Sequence, residues 1–269
     1  MGNPLLSWFR SFSDRKQFVQ IHNTHSNLTS VTSGPRGLLQ DKLNKFSDWV
    51  ARLGISLNLS KCQIITFSRF RTPILNNYHI NGAPLHRVFS IKDLGIHYSS
   101  LLCFSRHIGI TVGRALKVIG FIKRSTKHFS SANCLWSLYI SLVRSLLEYG
   151  AVIWNPYLTR DQLRIERVQN KFLAYAAFIL KLPDPCHDYT YSREVLSLPT
   201  LDSRRSLADQ NFIMALLNGL LDAPDILSNI SFKVPSHNTR NQEQFYIPVH
   251  STTYGHNNPI HRMLRSFQF

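Results

Sequence analysis

The stretch Arg106-His107-Ile108-Gly109-Ile110-Thr111-Val112-Gly113-Arg114-Ala115-Leu116-Lys117-Val118-Ile119-Gly120-Phe121-Ile122-Lys123-Arg124-Ser125-Thr126-Lys127 decides how most of this chain is read. Ile108, Val112, Ala115, Ile119 and Ile122 recur at steps of four and three, the spacing of one buried helical stripe. At about 100° per residue, Arg106, Arg114, Lys117 and Arg124 gather on the opposite face, and Lys123 adds a further cation. The spacing predicts a helix over 106–127 with one face for a core and one for an anion. Gly109, Gly113 and Gly120 fall on a third strip beside the basic face. Each costs a helix about 1 kcal/mol relative to Ala. Three on one strip point to something large approaching that surface, either a neighbouring helix or a nucleic-acid backbone.

Towards the C-terminus the pattern stays helical. A second helix is expected over 132–149, with Leu135, Leu138, Leu142, Leu146 and Tyr149 inward and Gly150 as its stop. Ala151–Trp154 forms an apolar link before Asn155-Pro156. Thr159 with Gln162 reads as a capping box for a third helix to about residue 179. Pro183 and Pro185 mark a linker, and helices near 192–197 and 202–221 follow. After Ala223-Pro224 the chain turns polar and is expected to be loosely ordered.

Towards the N-terminus the pattern is mixed. Leu39, Leu43, Phe46, Val50 and Leu53 are spaced for a helix over 38–53, with Gly54 at its C′ position. Residues 55–67 read as a turn entering a buried strand. Asn81-Gly82 is a strong hairpin signal, and Val88–Tyr98 reads as extended. Gln17–Ile21 and Thr29–Thr32 read as short strands with unpaired edges, and residues 5–12 as a short amphipathic helix. The fold class is therefore α+β at the start and mainly helical after residue 105.

Charge narrows the function. The 269 residues carry a net charge of +16, and residues 61–130 hold 11 basic residues against a single acid, Asp93. A positive block of this kind attracts polyanions. Because its cations interleave with a regular helix, nucleic acid fits better than a solubilising tail. Cys62, Cys103, Cys134 and Cys186 lie far apart without a C-x-x-C pair, which argues against a zinc site or disulfide scaffold and suits a reducing, intracellular setting in cytoplasm or nucleus. No apolar run is long enough for a membrane span, and no secretory h-region is evident, so no membrane partner is expected. Cys186-His187 and the scattered His250, His256 and His261 do not form a metal-ligand pattern. No phosphate loop or nucleophile elbow occurs. Trp136, Tyr139, Tyr149 and Trp154 read as core.

Several phrases, in order, carry a family resemblance. They are Leu57-Asn58-Leu59-Ser60-Lys61-Cys62; Lys92-Asp93-Leu94-Gly95-Ile96 followed by Phe104-Ser105-Arg106-His107-Ile108; and Leu138-Tyr139-Ile140-Ser141-Leu142-Val143-Arg144-Ser145-Leu146-Leu147-Glu148-Tyr149-Gly150-Ala151-Val152-Ile153-Trp154-Asn155-Pro156. Ile165-Glu166-Arg167-Val168-Gln169-Asn170-Lys171-Phe172, Leu198-Pro199-Thr200-Leu201 with Arg204-Arg205, and Asn258-Pro259-Ile260-His261-Arg262-Met263-Leu264 continue the series. Over residues 38–269 the chain resembles the reverse transcriptase of non-LTR (LINE-like, jockey-type) retrotransposons. Residues 5–34 give a shorter match, one residue short between Phe12 and Ser13. The resemblance implies a partial polymerase palm followed by a mainly α-helical thumb and connection region. The implied segments are 1–37, a palm remnant; 38–105, post-catalytic palm and primer-grip hairpin; 106–182, thumb; and 183–269, connection helices and tail. Lys61 would stand where the family positions a lysine near the incoming triphosphate.

One junction departs from the family. There, Val-Thr-Ser-Gly runs on into Val-Pro-Gln-Gly and then to a Tyr-Ala-Asp-Asp turn that holds catalytic metals. Here Val31-Thr32-Ser33-Gly34 runs into Pro35-Arg36-Gly37-Leu38-Leu39-Gln40, through a genomic deletion or a mis-predicted splice. The chain contains no adjacent Asp pair. Polymerase chemistry needs two Mg²⁺ ions held by carboxylates. Before Lys61 only Asp14, Asp41 and Asp48 are acidic, and none sits in a matching motif. The expectation is an inactive fragment without cofactor. It would bind duplex or single-stranded nucleic acid without sequence preference, through Lys61, Arg106, Arg114, Lys117, Lys123 and Arg124. The alternatives are a translated pseudogene remnant and a recruited helical interaction protein without nucleic-acid function. Oligomeric state has no signal in the sequence.

Overall fold

The computed structural model describes residues 16–21, 24–25, 29–30, 37–73, 75–128, 131–183, 188–233 and 244–267, with backbone alone before residue 39. The expected helix at 5–12, the junction residues Pro35 and Arg36, and Cys186-His187 lie outside the described residues. The chain divides into two compact units. The first gathers the chain up to Cys103 with Ala223–Pro248 and Asn258–Ile260; the second gathers Phe104–Asp222, Val249–Asn257 and His261–Phe269.

The first unit is built on a small sheet. Strand β1 (Lys16–Ile21) pairs antiparallel with β4 (Gln63–Thr66), in the register Gln17↔Thr66 to Gln20↔Gln63. On its other side β1 pairs with β2 (Thr24–His25) and β3 (Thr29–Ser30). The expectation of unpaired edges for the strand at 17–21 is thus wrong: β4, 42 residues further on, supplies the partner. Strand β4 also pairs in parallel with β7 (His86–Arg87), so it is central, which accounts for the burial of both Ile64 and Ile65.

The helix Gly37–Arg52 lays Leu39 and Leu43 on Cys62, Ile64, Tyr78 and Ile80. Its end carries a Schellman arrangement, with Ile55 N–H donating to Val50 O at 3.2 Å and Gly54 N–H to Ala51 O at 3.0 Å. Gly54 has φ +70°, as the C′ reading requires. Leu53 lies beyond the helix and is exposed rather than inward. In its place on the inner side is Ser47, buried because its hydroxyl meets Asn81 Oδ1 at 2.6 Å.

Two hairpins complete this unit. Asn81 (φ +51°) and Gly82 (φ +76°) join β5 (His79–Ile80) to β6 (Ala83–Pro84), the turn that Asn-Gly favours. Leu94 (φ +44°) and Gly95 (φ +87°) join β8 (Ser90–Asp93) to β9 (Ile96–Ser99) in the same way. Residues 88–98 are therefore not one extended segment. Leu is a poor residue for the left-handed region, so composition hid this second turn, and only the resemblance of residues 92–96 to a primer-grip hairpin implied it.

The second unit is helical. The helix Ser105–Ser125 packs against Thr159–Leu180 and against the helical run from Ala132 to Glu148. That run was expected as one α-helix with Leu135, Leu138, Leu142, Leu146 and Tyr149 inward. Instead, Tyr139–Arg144 winds as a π-helix between Ala132–Leu138 and Ser145–Glu148. The buried set is Leu135, Tyr139, Val143 and Leu147, four apart throughout. In an α-helix each step of four drifts by about 40°. The wider π turn removes that drift and keeps a four-residue row on one face. Leu142 and Tyr149 are exposed.

Tyr139 and Phe172 stack with ring centroids 4.4 Å apart. The Tyr139 hydroxyl donates to Gln169 at 2.7 Å, and Gln169 Nε2 donates to Pro199 O at 2.8 Å. Trp154 is buried, whereas Trp136 is exposed, so the four aromatics read as core divide two and two. The capping box also differs. The Thr159–Leu180 helix is capped at Leu158 without a side-chain bond, and Gln162 instead donates to Pro156 O at 3.0 Å. The acid of its first turn, Asp161, is buried and takes the Ser105 hydroxyl. The polar tail is more ordered than expected: Pro259–Ser266 is a helix, with Ile260, Met263 and Leu264 buried.

Candidate nucleic-acid interface

The helix Ser105–Ser125 has no acidic residue along its length. Its buried residues are His107, Ile108, Thr111, Ala115, Ile119 and Ile122. This is the expected stripe with one exchange: Val112 is half-buried, and His107 and Thr111 extend the inner face. On the opposite side Arg106, Arg114, Lys117 and Arg124 are exposed. Arg114, Lys117 and Arg124 form no ion pair among the described residues. Their charge is therefore available to an external anion, undiminished by a neighbouring carboxylate.

Lys123 is placed differently. It is half-buried, and its ammonium stands over the Tyr175 ring at 5.4 Å from the centroid. The Tyr175 hydroxyl bonds both Lys123 O at 3.2 Å and Thr126 Oγ1 at 2.8 Å. This cation helps to fix the end of the helix to Thr159–Leu180. Lys61 lies in the first unit, on a short 3-10 turn Leu59–Lys61 whose start is capped by Asn58 Oδ1 accepting from Ser60 N–H at 3.1 Å. It is exposed, while the next residue, Cys62, is buried, which pushes its thiol pKa up.

The glycine strip resolves into two parts. A Cβ at Gly109 would stand 3.1 Å from Arg164 Nη2, so a neighbouring helix explains that glycine. Arg164 is drawn there by Asp161, whose Oδ1 lies 3.3 Å from Arg164 Nη1. Gly113 has nothing within 4 Å, and Gly120 meets only Arg124 of its own helix, at 3.5 Å. Two of the three glycines therefore border the cations without a protein neighbour. Phe121, 54% exposed, stands on the same face and was not singled out from the sequence.

Elsewhere in this unit a polar network ties three chain segments together. Asp209 is buried and accepts from Arg262 Nε at 3.1 Å and from Asn155 Nδ2 at 2.9 Å. Arg262 also donates to Val152 O at 3.1 Å and Asn155 O at 3.3 Å, and Arg205 Nε donates to Asn155 Oδ1 at 3.1 Å. Burial raises the Asp209 pKa against the opposing pull of Arg262. Nearby, Glu148 takes Arg204 through both carboxylate oxygens. Asn155, Arg204, Arg205 and Arg262, all within motifs that carry the resemblance, make these bonds as structural residues.

A pair of catalytic metals does not fit these residues. Asp41 and Asp48 are exposed on the helix Gly37–Arg52, and among the described residues no three His, Cys, Asp or Glu side chains converge. Among the described residues, no helix is long and apolar enough to cross a membrane.

With this geometry in view, comparison of the sequence identifies the class of protein it resembles: the RNA-directed DNA polymerases of non-LTR mobile elements. A probable RNA-directed DNA polymerase from transposon X-element of Drosophila melanogaster is 29% identical over 137 residues, which are 49% of this chain and 15% of that protein. The RNA-directed DNA polymerase from mobile element jockey of the same organism is 28% identical over 148 residues, 54% of this chain and 16% of that protein. The resemblance drawn from the motifs is borne out, and the matched stretch is less than a fifth of either relative. No family model matches the chain, and no solved structure matches it.

Proposed function

We propose that this chain is a fragment of a non-LTR retrotransposon reverse transcriptase that has lost polymerase chemistry and kept nucleic-acid binding. In this reading the first unit derives from the palm and the second from the thumb and connection, and the protein acts inside the cell. The observation that carries the binding is the exposed cationic face of Ser105–Ser125, free of acids and opposite the buried stripe. The loss of chemistry rests on the internal junction, where Pro35-Arg36-Gly37 stands in place of the run to an Asp-Asp turn. Lys61 keeps its motif without a metal-bound triphosphate to serve.

Such a face binds phosphates and carries no base readout. Filter binding of the purified chain to duplex, hybrid and single strands tests it. Affinity should fall with salt, with a log–log slope of about −0.9 per phosphate contact on duplex DNA. A variant with Arg106, Arg114, Lys117 and Arg124 all changed to Glu should lose binding and keep its helical circular dichroism, since none of the four is buried. Absence of binding by the parent at low salt, or undiminished binding by that variant, overturns the reading.

A further inference from the structure

We infer that the exposed face of Ser105–Ser125 is a single-strand platform on which Phe121 stacks an unpaired base while Arg114, Lys117 and Arg124 hold the flanking phosphates. The inference rests on the nucleic-acid reading above and names the form of nucleic acid that this face takes.

The argument starts from helical position. Phe121 follows Lys117 by four residues and precedes Arg124 by three, so both are its neighbours on the helix surface. Arg114 is seven residues before it, two turns away and about 20° around the axis. An aromatic ring is thus bracketed by cations on both sides along one face. Phe121 is 54% exposed, while the stripe residues Ile119 and Ile122 beside it are buried. A large apolar ring in the middle of an otherwise cationic face weakens that face as a purely electrostatic surface and is poorly suited to a duplex exterior, whose bases are already stacked. It does suit unpaired bases, whose π faces are free and which stack on aromatic side chains irrespective of sequence.

The glycines supply the second observation. Gly113 opens onto space with nothing within 4 Å of a Cβ, and at Gly120 the neighbour is Arg124 Nη1 at 3.5 Å. On the strip about 80–100° round the axis from the ring, no side chain comes within 4 Å of a Cβ at Gly113, and at Gly120 the near group is that guanidinium. A nucleotide stacked on Phe121 can set its phosphate near Arg124, three residues on and its neighbour on the helix surface. Gly109, filled by Arg164, closes the strip at the N-terminal end of the helix.

The experiment uses the full chain, a fluorescently labelled oligothymidine strand and the same strand annealed to oligoadenosine, at low salt. The parent should bind the single strand more tightly than the duplex. Phe121→Ala should lower single-strand affinity about tenfold and leave duplex affinity nearly unchanged. Phe121→Trp should restore it, and Phe121→Leu, apolar but without a π face, should not. A strand carrying 2-aminopurine should change its fluorescence on binding to the parent and not to Phe121→Ala, a readout that needs only the parent if a variant misfolds. If the parent prefers duplex, if Phe121→Leu binds as well as Phe121→Trp, or if 2-aminopurine shows no change in the bound complex, the platform is wrong while the binding reading stands. If the parent binds neither form, both fall together.

Discussion

Asp209 shows how one residue can hold a helical unit together. Its carboxylate is 3% exposed and faces Arg262 and Asn155, which in turn reaches Arg205. Removing one member of such a buried group strands the others without their counter-charge. Asp209→Ala should cost about 3–5 kcal/mol in urea denaturation, with Asp209→Asn milder because Asn155 and Arg262 keep an oxygen to meet. His261 gives a second test at this scale. It sits against His250, with Nδ1 to Nε2 at 2.7 Å, and Arg265 lies close to the pair. Burial first, then the neighbouring His250 and Arg265, lower the His261 pKa. With a depressed pKa in the folded state, the unfolded chain takes up the proton first as pH falls. The stability contribution is therefore complete above about pH 6.5 and is lost as pH falls through the lower folded value. The urea midpoint of the parent should drop between neutral and mildly acidic pH, and more steeply than that of His261→Gln. Equal slopes would remove His261 from the account.

At the scale of elements, winding decides which leucines matter. Within the run from Ala132 to Glu148 the π turn brings Leu147 inward and leaves Leu142 at the surface. Leu147→Ala should cost about 2–5 kcal/mol. Leu142→Ala should stay within about 0.5 kcal/mol. The reverse order of losses would mean a continuous α-helix. The β8–β9 hairpin offers a change in the other direction. Leu94 holds φ +44°, which strains its backbone, and its side chain is exposed. Leu94→Asn should raise stability by about 1 kcal/mol, because Asn tolerates the left-handed region; an unchanged denaturation midpoint would show that the turn relaxes at no cost.

Across the whole molecule, net charge and the absent Asp-Asp pair lead to separate expectations. Ten of the sixteen net positive charges fall within residues 61–130. They include both Lys61 of the first unit and the exposed cations of the second. The chain should incorporate no dNTP on primed RNA or DNA with Mg²⁺ or Mn²⁺, since Asp41 and Asp48 cannot stand in for the missing turn. Incorporation that survives a mock-purified control would restore the enzyme.

The sequence by itself determined the features that depend on neighbours a few residues away. The stripe and basic face of Ser105–Ser125, the Gly54 and Gly150 stops, the Asn81-Gly82 turn and the family motifs were all legible, because helical period, positive φ and capping are local properties. Tertiary structure alone decided what depends on distant partners. Strand β1 found β4 across 42 residues; the Tyr139–Arg144 stretch winds as a π-helix, with Tyr139 stacked on Phe172; and Lys123 went to Tyr175 while its neighbour Arg124 stayed at the surface. Leu94 took a turn its residue type disfavours, and Arg262, in a tail that reads as irregular, closed on Asp209. For the strand pairing, Lys123 and Arg262, a distant partner or a buried counter-charge outweighs a local preference of about 1 kcal/mol, and no spacing in the chain records which distant group will supply it.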